Sequence, residues 1–280
     1  MQHEREQGKR QAAVIVAFSG WNDAGNAASD TLLYLMAQHE STEIDSLDDE
    51  RYFDFQVTRP ILRRSADGPW IQWPHISLQR ISLETRDLIL VVGPEPNQLW
   101  RSFAQELVAR IARLEPDVVI LLGAMLSDTP HSRPFPVAMY TWNDELKTSL
   151  AVEELTYEGP TGITGVVSQM LIAEGLPSAS MWVSIPHYVS NPPNPKGQHA
   201  LLHRLEDALR VDLGSKGLQS ATTEWVNAVD ALSSEDPEVA EYIEQLEEAK
   251  DATDVEGATG DSIAAEFEKY LRQQDDPERP

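Results

Sequence analysis

The densest collection of reactive side chains lies in one short stretch, Ser127-Asp128-Thr129-Pro130-His131-Ser132-Arg133-Pro134. Asp128 and His131 are the types that orient and serve as a general base, and Arg133 offers a planar fork for an anion. A hydrolase or phosphorylase would set this stretch beside Ser19 or Glu95. The same residues also read as a polar, interface-forming surface loop. All their spacings are local, and no nucleophile-elbow motif anchors them.

Two glycine-containing loops could receive an oxyanion. Ser19-Gly20-Trp21-Asn22-Asp23-Ala24-Gly25-Asn26 leads from an apolar run to a helix start. Free N–H groups there could hold a phosphate or carboxylate, with Gly20 and Gly25 permitting close approach. It has neither a P-loop lysine nor a dinucleotide fingerprint, and Asp23 would repel an anion. The alternative is a capped strand-to-helix turn. Gly159-Pro160-Thr161-Gly162-Ile163-Thr164-Gly165 offers hydroxyls and N–H groups, or a tight connection in which Thr161 caps the next helix. Ser184 and His187 could be drawn into a triad with Asp128 and His131, but no spacing places them together. His199 and His203 could share a helix face, in a packing or solvent-facing role. The chain lacks HExxH and His-x-His patterns, so no metal and no cofactor is expected.

These loops follow short apolar runs: Ala12–Phe18, Asp87–Val92, Val118–Leu122, Ala151–Tyr157 and Ala179–Ile185. Most are followed in turn by a helix-like segment, such as Ala24–Gln38, Trp100–Leu114 or Gly162–Glu174. The alternation predicts a three-layer α/β/α fold with a mostly parallel central sheet and polar loops along one sheet edge. Ligands usually sit at that edge in open α/β sheets. Further strands are expected at Arg51–Thr58, Ile76–Leu83 and Val137–Thr141, and Ala66-Asp67-Gly68-Pro69 is a turn signal. Glu40–Asp54 contains an apolar-poor acidic stretch, and Ala200–Arg210 reads as an amphipathic helix.

The formal charge of −24 argues against nucleic acid and anionic membranes as partners. Acidity that merely keeps the protein soluble is the plainer reading. With no cysteine, disulfides, thiolate metal sites and cysteine nucleophiles are excluded. A charged N-terminus and the lack of a long apolar run lead to the expectation of a soluble cytoplasmic protein. Residues 12–213 are expected to form the α/β domain and 221–273 an acidic helical extension, with 1–10 and 274–280 disordered. Residues 221–280 hold eighteen acidic and four basic residues. The stripe Val239, Tyr242, Ile243, Leu246 and a second, Ile263, Phe267, Tyr270, Leu271, would each pack on the domain or on a partner. The polar stretch Asp251–Gly260 reads as a linker between them.

Several blocks together carry a family likeness. They are Ala17-Phe18-Ser19-Gly20-Trp21-Asn22-Asp23-Ala24-Gly25, Asp54-Phe55-Gln56-Val57-Thr58-Arg59-Pro60, Leu121-Leu122-Gly123-Ala124 and Gly159-Pro160-Thr161-Gly162-Ile163. From about Ala12 to Arg210 the chain resembles the family named for the second eukaryotic proteasome assembly chaperone, in its actinobacterial branch. Glu266-Phe267-Glu268-Lys269-Tyr270-Leu271 resembles the extension of those members. The resemblance implies an architecture similar to the nucleoside phosphorylases and hydrolases, and homo-oligomers, a trimer among them. It also implies a non-enzymatic role on 20S proteasome α-subunits. Archaeal relatives dock through a hydrophobic-Tyr-any-residue tail; here Tyr270 is internal and the sequence ends Pro277-Glu278-Arg279-Pro280.

The resulting expectation is a non-enzymatic, homo-oligomeric assembly or binding protein. The rival is a nucleoside- or amide-type hydrolase, or a small-molecule sensor, using the sheet-edge crevice. Ser19, Gly20, Trp21, Asn22, Asp23, Glu95, Asp128, His131, Arg133, Thr161 and Gly162 would line that crevice.

Overall fold

Alternation of buried side chains on each strand separates two cores on either side of one sheet. The computed structural model describes residues 10–153, 155 and 157–257, with side chains through residue 252. Among the described residues nine strands form in chain order: β1 (Gln11–Ser19), β2 (Ser41–Leu47), β3 (Ile61–Ser65), β4 (Gly68–Gln72), β5 (Ile76–Ser82), β6 (Arg86–Pro94), β7 (Val118–Ser127), β8 (Val137–Thr141) and β9 (Ser178–Pro186). Seven make a single sheet in the order β2-β5-β6-β1-β7-β9-β8. The central strands β6, β1, β7 and β9 run parallel, while β2, β5 and β8 join antiparallel at the two edges. β3 and β4 form a separate hairpin.

The helices are α1 (Ala27–Gln38), α2 (Trp100–Arg113), α3 (Asp144–Ser149), α4 (Ile163–Ala173), α5 (Pro195–Leu209), α6 (Gln219–Ser233) and α7 (Pro237–Gly257). Ala13, Ile15 and Ala17 of β1 pack with Leu32 and Leu35 of α1 and Leu201 and Leu205 of α5. The intervening Val14, Val16 and Phe18 point to the other layer, where they meet Phe103 and Leu107 of α2 and Val167 and Leu171 of α4. Period-two alternation along a strand covered on both faces produces this division. Phe103 is fully buried, with Phe18 and Tyr52 packed edge-on at 5.9 and 5.3 Å between ring centroids. The three-layer α/β/α fold read from the sequence is the fold observed.

Local chemistry overrides the sequence pattern in several places. Arg51–Thr58 is not a strand. Asp49 caps a short 3-10 turn over Glu50–Tyr52, and the Asp54 carbonyl accepts from the N–H groups of Val57 and Thr58. β2 forms within the polar stretch Glu40–Asp54, its pairing with β5 carrying a shift between Glu43 and Asp45. The described residues of Ala151–Tyr157 are irregular. α7 continues through the expected linker as far as Gly257, because Asp251–Glu256 contains no helix breaker. Arg10, expected to be disordered, pairs with Asp87 at 2.8 Å. The stripe Ile263–Leu271, the segment 274–280 and most of 1–10 lie outside the described residues.

The described residues leave one face of the sheet incompletely covered. On the α1/α5 side the core extends out to β8, where Met139 is buried. On the α2/α4 side, α4 is the last helix among the described residues. Beyond it β9 turns Ser178, Ser180 and Trp182 to this face, Ser180 and Trp182 part-exposed and Ser178 buried, whereas Ala179, Met181 and Val183 on its other face are all buried.

Candidate functional site

Two helix N-termini meet the C-terminal edge of the sheet, and a carboxylate from the chain itself occupies each. After β1 the chain turns sharply, with Gly20 at φ 138° and both Gly25 and Asn26 left-handed at φ 60° and 56°. The turn places the buried Asp23 carboxylate at the start of α1. It accepts from Ala28 N at 2.8 Å, Ser29 N at 3.2 Å and Ser29 Oγ at 2.5 Å. Burial pushes the Asp23 carboxyl above the usual aspartate value, against the opposing pull of these donors. The N-terminus of α4 is met by Glu95, whose Oε1 accepts from Ile163 N at 3.2 Å. Its Oε2 accepts from Trp21 N at 3.2 Å. Glu95, rather than Thr161, thus serves the first turn of α4. Free N–H groups at a helix start are what would draw a phosphate; here Asp23 and Glu95 already engage them.

The same contacts bring one group of predicted residues together. Ser19 accepts from Glu95 N at 2.8 Å through its carbonyl, and Asn22 accepts from Ala124 N at 2.8 Å in the same way. Gly162 is required where it stands, since a Cβ there would lie 2.0 Å from Asn22 Oδ1. Gly20, Trp21, Asn22, Asp23 and Thr161 line one end of a groove of about 940 Å³. From there the groove runs along the uncovered face of β9 and β8, beside Ser168, Gln169 and Ile172 of α4. Gly123 makes room for its floor. Gly123 is the register partner of Trp182, and a Cβ on it would sit 2.4 Å from the indole ring. Trp21, Trp142 and Tyr157 are 67%, 59% and 63% exposed at the rim, and Leu126 and Leu155 are exposed beside them. Among the described residues lining it, Asp23 alone bears a charged side chain, and that carboxylate is spent on α1. The groove is therefore aromatic and hydroxyl-lined, suited to covering by another apolar surface.

The other predicted group, Asp128, His131 and Arg133, is drawn away from the groove to α6 and α7. His131 is 2% exposed. Its backbone N–H donates to the Tyr188 hydroxyl at 2.7 Å, its Nδ1 lies 2.9 Å from the same oxygen, and its Nε2 lies 2.8 Å from Asp230 Oδ1 on α6. The Asp230 carboxylate can only accept, so Nε2 is the donor of that pair. Burial pushes the Tyr188 phenol up to about 12, which keeps it a donor. Arg133 forks onto the Asp251 carboxylate with two bonds of 2.8 Å, and Ser132 bonds to Glu247. Asp128 accepts from the Tyr242 hydroxyl at 3.2 Å and lies 3.3 Å from His187. Lys196 donates to the His131 carbonyl and sits 4.8 Å from the centre of the Phe135 ring, whose edge meets Trp225 of α6. Burial lowers the Lys196 ammonium to about 8. The expected stripe Val239, Tyr242, Ile243 and Leu246 is the inward side of α7, with Ile243 buried. The reactive-looking loop is the fastening of the C-terminal helices.

His199 and His203 do share a face of α5, their rings stacked 6.4 Å apart. Burial, reinforced by His203, holds His199 below the usual histidine value. Among the described residues no group of three or more His, Asp or Glu side chains could hold a metal ion, and no helix is long and apolar enough to cross a membrane. The groove residues Trp142, Tyr157 and Trp182 were absent from the sequence-derived site. The one signal for them is the small-polar alternation Ser178, Ser180 with Ala179 and Met181 at the start of β9.

A family model described as the PAC2 family matches residues 17–233. A PAC2 family protein from Streptomyces avermitilis is similar at 42% identity and a TM-score of 0.78, over 83% of this chain and 99% of that one. A proteasome-assembly chaperone homologue from Mycobacterium tuberculosis is similar at 41% identity and a TM-score of 0.75, over 82% and 99%. PbaB, an archaeal proteasome activator from Pyrococcus furiosus, shares the fold at 12% identity and a TM-score of 0.63, over 81% and 96%. No curated protein matches the chain.

Proposed function

The chain belongs to the PAC2 family, and on that premise we propose that it is a non-enzymatic, homo-oligomeric assembly protein of the cytoplasm that engages 20S proteasome α-subunits. The observation that carries this reading is the commitment of its reactive side chains. Asp23 and Glu95 close two helix N-termini, His131 is sealed between Tyr188 and Asp230, and Arg133 is clamped on Asp251. A hydrolase would need at least one of these groups open to a substrate. What the molecule exposes instead is binding surface. Its 41%-identical relative from Mycobacterium tuberculosis, described as a proteasome-assembly chaperone homologue, supports the choice of client.

The contact with the client is assigned to the outer side of α7. Glu235, Asp236, Glu238, Glu241, Glu244 and Glu248 are exposed there and just before it, while Ile243 turns inward. Such a face selects a basic patch and speeds encounter with it, in a salt-dependent way. Affinity capture of the tagged protein from its native cytoplasm, at near-physiological salt with mass spectrometry of the eluate, tests the reading. Enrichment of proteasome α-subunits, lost when the six carboxylates are made amides, is the expected result. Recovery of the protein alone, with thermal stabilisation by nucleosides, would favour the hydrolase or sensor instead.

A further inference from the structure

The outward face of α5 gathers cationic side chains in a molecule that has few. The chain holds 22 Lys and Arg residues against 46 Asp and Glu. Lys196, His199, His203 and Arg204 nonetheless fall on one side of α5, opposite the buried Leu201, Leu202 and Leu205. They wall a pocket of about 390 Å³ between α5, Thr222 of α6 and the stretch that enters β8. Phe135, Val137 and Ala200 supply an apolar part of its lining, and Lys196 Nζ stands 4.8 Å from the centre of the Phe135 ring. The pocket is separate from the groove over β9 and β8, with which it shares no lining residue.

The carboxylates around this pocket are already engaged. Asp230 accepts from His131 Nε2. Glu206 accepts from Leu213 N and Ser215 N, both at 2.9 Å, and from Ser215 Oγ at 2.5 Å. Its Oε2 also lies 3.6 Å from His203 Nδ1. Among the described residues lining the pocket Asp207 alone is acidic, and helical rise sets it about 16 Å along α5 from Lys196. Lys196 donates to the His131 carbonyl, and Arg204 donates to the Ala151 carbonyl at 2.7 Å. Among the described residues neither of these cations forms an ion pair, and each has further N–H donors to offer.

Burial has left the cluster short of charge as well. Lys196 is lowered to about 8, with Asp230 and Arg133 acting on it in opposite senses. His199 is held below the ordinary histidine value by burial and by His203, against the pull of Glu206. An anion placed beside them favours the protonated form of both.

We infer that this pocket binds a small carboxylate with an apolar body, its anion held by Lys196 and His199 and its body laid against Phe135, Val137 and Ala200. His203 and Arg204 keep the field in the pocket positive. The volume suits a ligand of benzoate size or somewhat larger.

The test titrates the purified full chain with benzoate, benzamide and inorganic phosphate at constant ionic strength, read by calorimetry and by melting temperature. Benzoate should bind saturably and raise the melting temperature. Benzamide lacks the charge and phosphate lacks the apolar body, so each should bind at least about tenfold more weakly. Benzoate affinity should fall as pH rises from about 6 to about 9, as His199 and Lys196 lose their protons. At the acid end Lys196→Met and His199→Gln should each weaken benzoate about tenfold, the loss of one charged hydrogen bond. Arg101→Gln, which removes an exposed cation on α2, should leave it unchanged. Melting of each unliganded variant separates lost binding from lost fold, and the half-exposed His199 is replaced by another polar side chain. Equal binding of benzoate and phosphate, or of benzoate and benzamide, would overturn the site. So would benzoate affinity indifferent to both variants, or no saturable binding at millimolar concentration.

Discussion

Replacing Asp230 by alanine should destabilise the protein although the side chain lost is 57% exposed. The reason lies in its partner. His131 is 2% exposed, and Asp230 Oδ1 at 2.8 Å is the acceptor for its Nε2. Stranding a buried donor costs about 1–3 kcal/mol, whereas the aspartate itself would be rehydrated at little cost. His131→Ala removes a nearly fully buried ring and both of its bonds, for roughly 2–4 kcal/mol. The double variant should then cost little more than His131→Ala alone, since Asp230 has nothing left to hold. The cycle should therefore show a coupling of about 1–3 kcal/mol, the whole of the Asp230→Ala effect and far above the scatter of independent sites. Asp230→Asn keeps an acceptor oxygen and should lie near wild type. Urea unfolding followed by tryptophan fluorescence gives these differences as midpoint shifts at constant slope. An Asp230→Ala protein as stable as wild type, or strictly additive single effects, would refute His131 as the fastening of α6.

Lys196 provides a pH test. Burial lowers its ammonium from the ordinary 10.5 to about 8, so the folded state binds this proton less well than the unfolded state. The penalty is present in full below about pH 8 and fades as pH rises towards the ordinary lysine value. Wild type should therefore gain stability relative to Lys196→Met between pH 8 and 10, and parallel stability curves would contradict this. Glu95→Ala should cost about 1–2 kcal/mol by releasing the N–H groups of Trp21 and Ile163. It should also open the start of α4 to anions, so that sulfate raises the melting temperature of the variant and not of the wild type. An equal response of both proteins would show that Glu95 does not block that site.

The sheet was legible because buried strands must be apolar on both faces, as Ala13–Phe18 and Val118–Leu122 are. β2 was hidden by its edge position, where Ser41, Thr42 and Glu43 can face water and only Leu47 is buried. Arg51–Thr58 alternates like a strand, yet Asp49 and Asp54 bond their own backbone neighbourhood and turn the chain. Asp128, His131 and Arg133 were recognised as special, but their role was not. Tyr242, Asp230 and Asp251 lie 114, 99 and 118 residues away in sequence, and local spacing carries no trace of such partners. The Ser19–Asp23 loop and Gly162 could be placed at one edge from strand order alone. The groove could not, because it arises where no helix of the described residues covers that face of β9 and β8. Only the alternation of Ser180 and Trp182 with the buried Ala179, Met181 and Val183 hints at it.

The most direct measurement is binding of the purified full chain to purified proteasome α-subunits from the same organism, followed by analytical ultracentrifugation at several salt concentrations. The expected result is a complex that weakens as salt rises and is lost when Glu238, Glu241, Glu244 and Glu248 are changed to glutamine. No complex at low salt, with both proteins folded and mixed at micromolar concentration, would contradict the chaperone function directly.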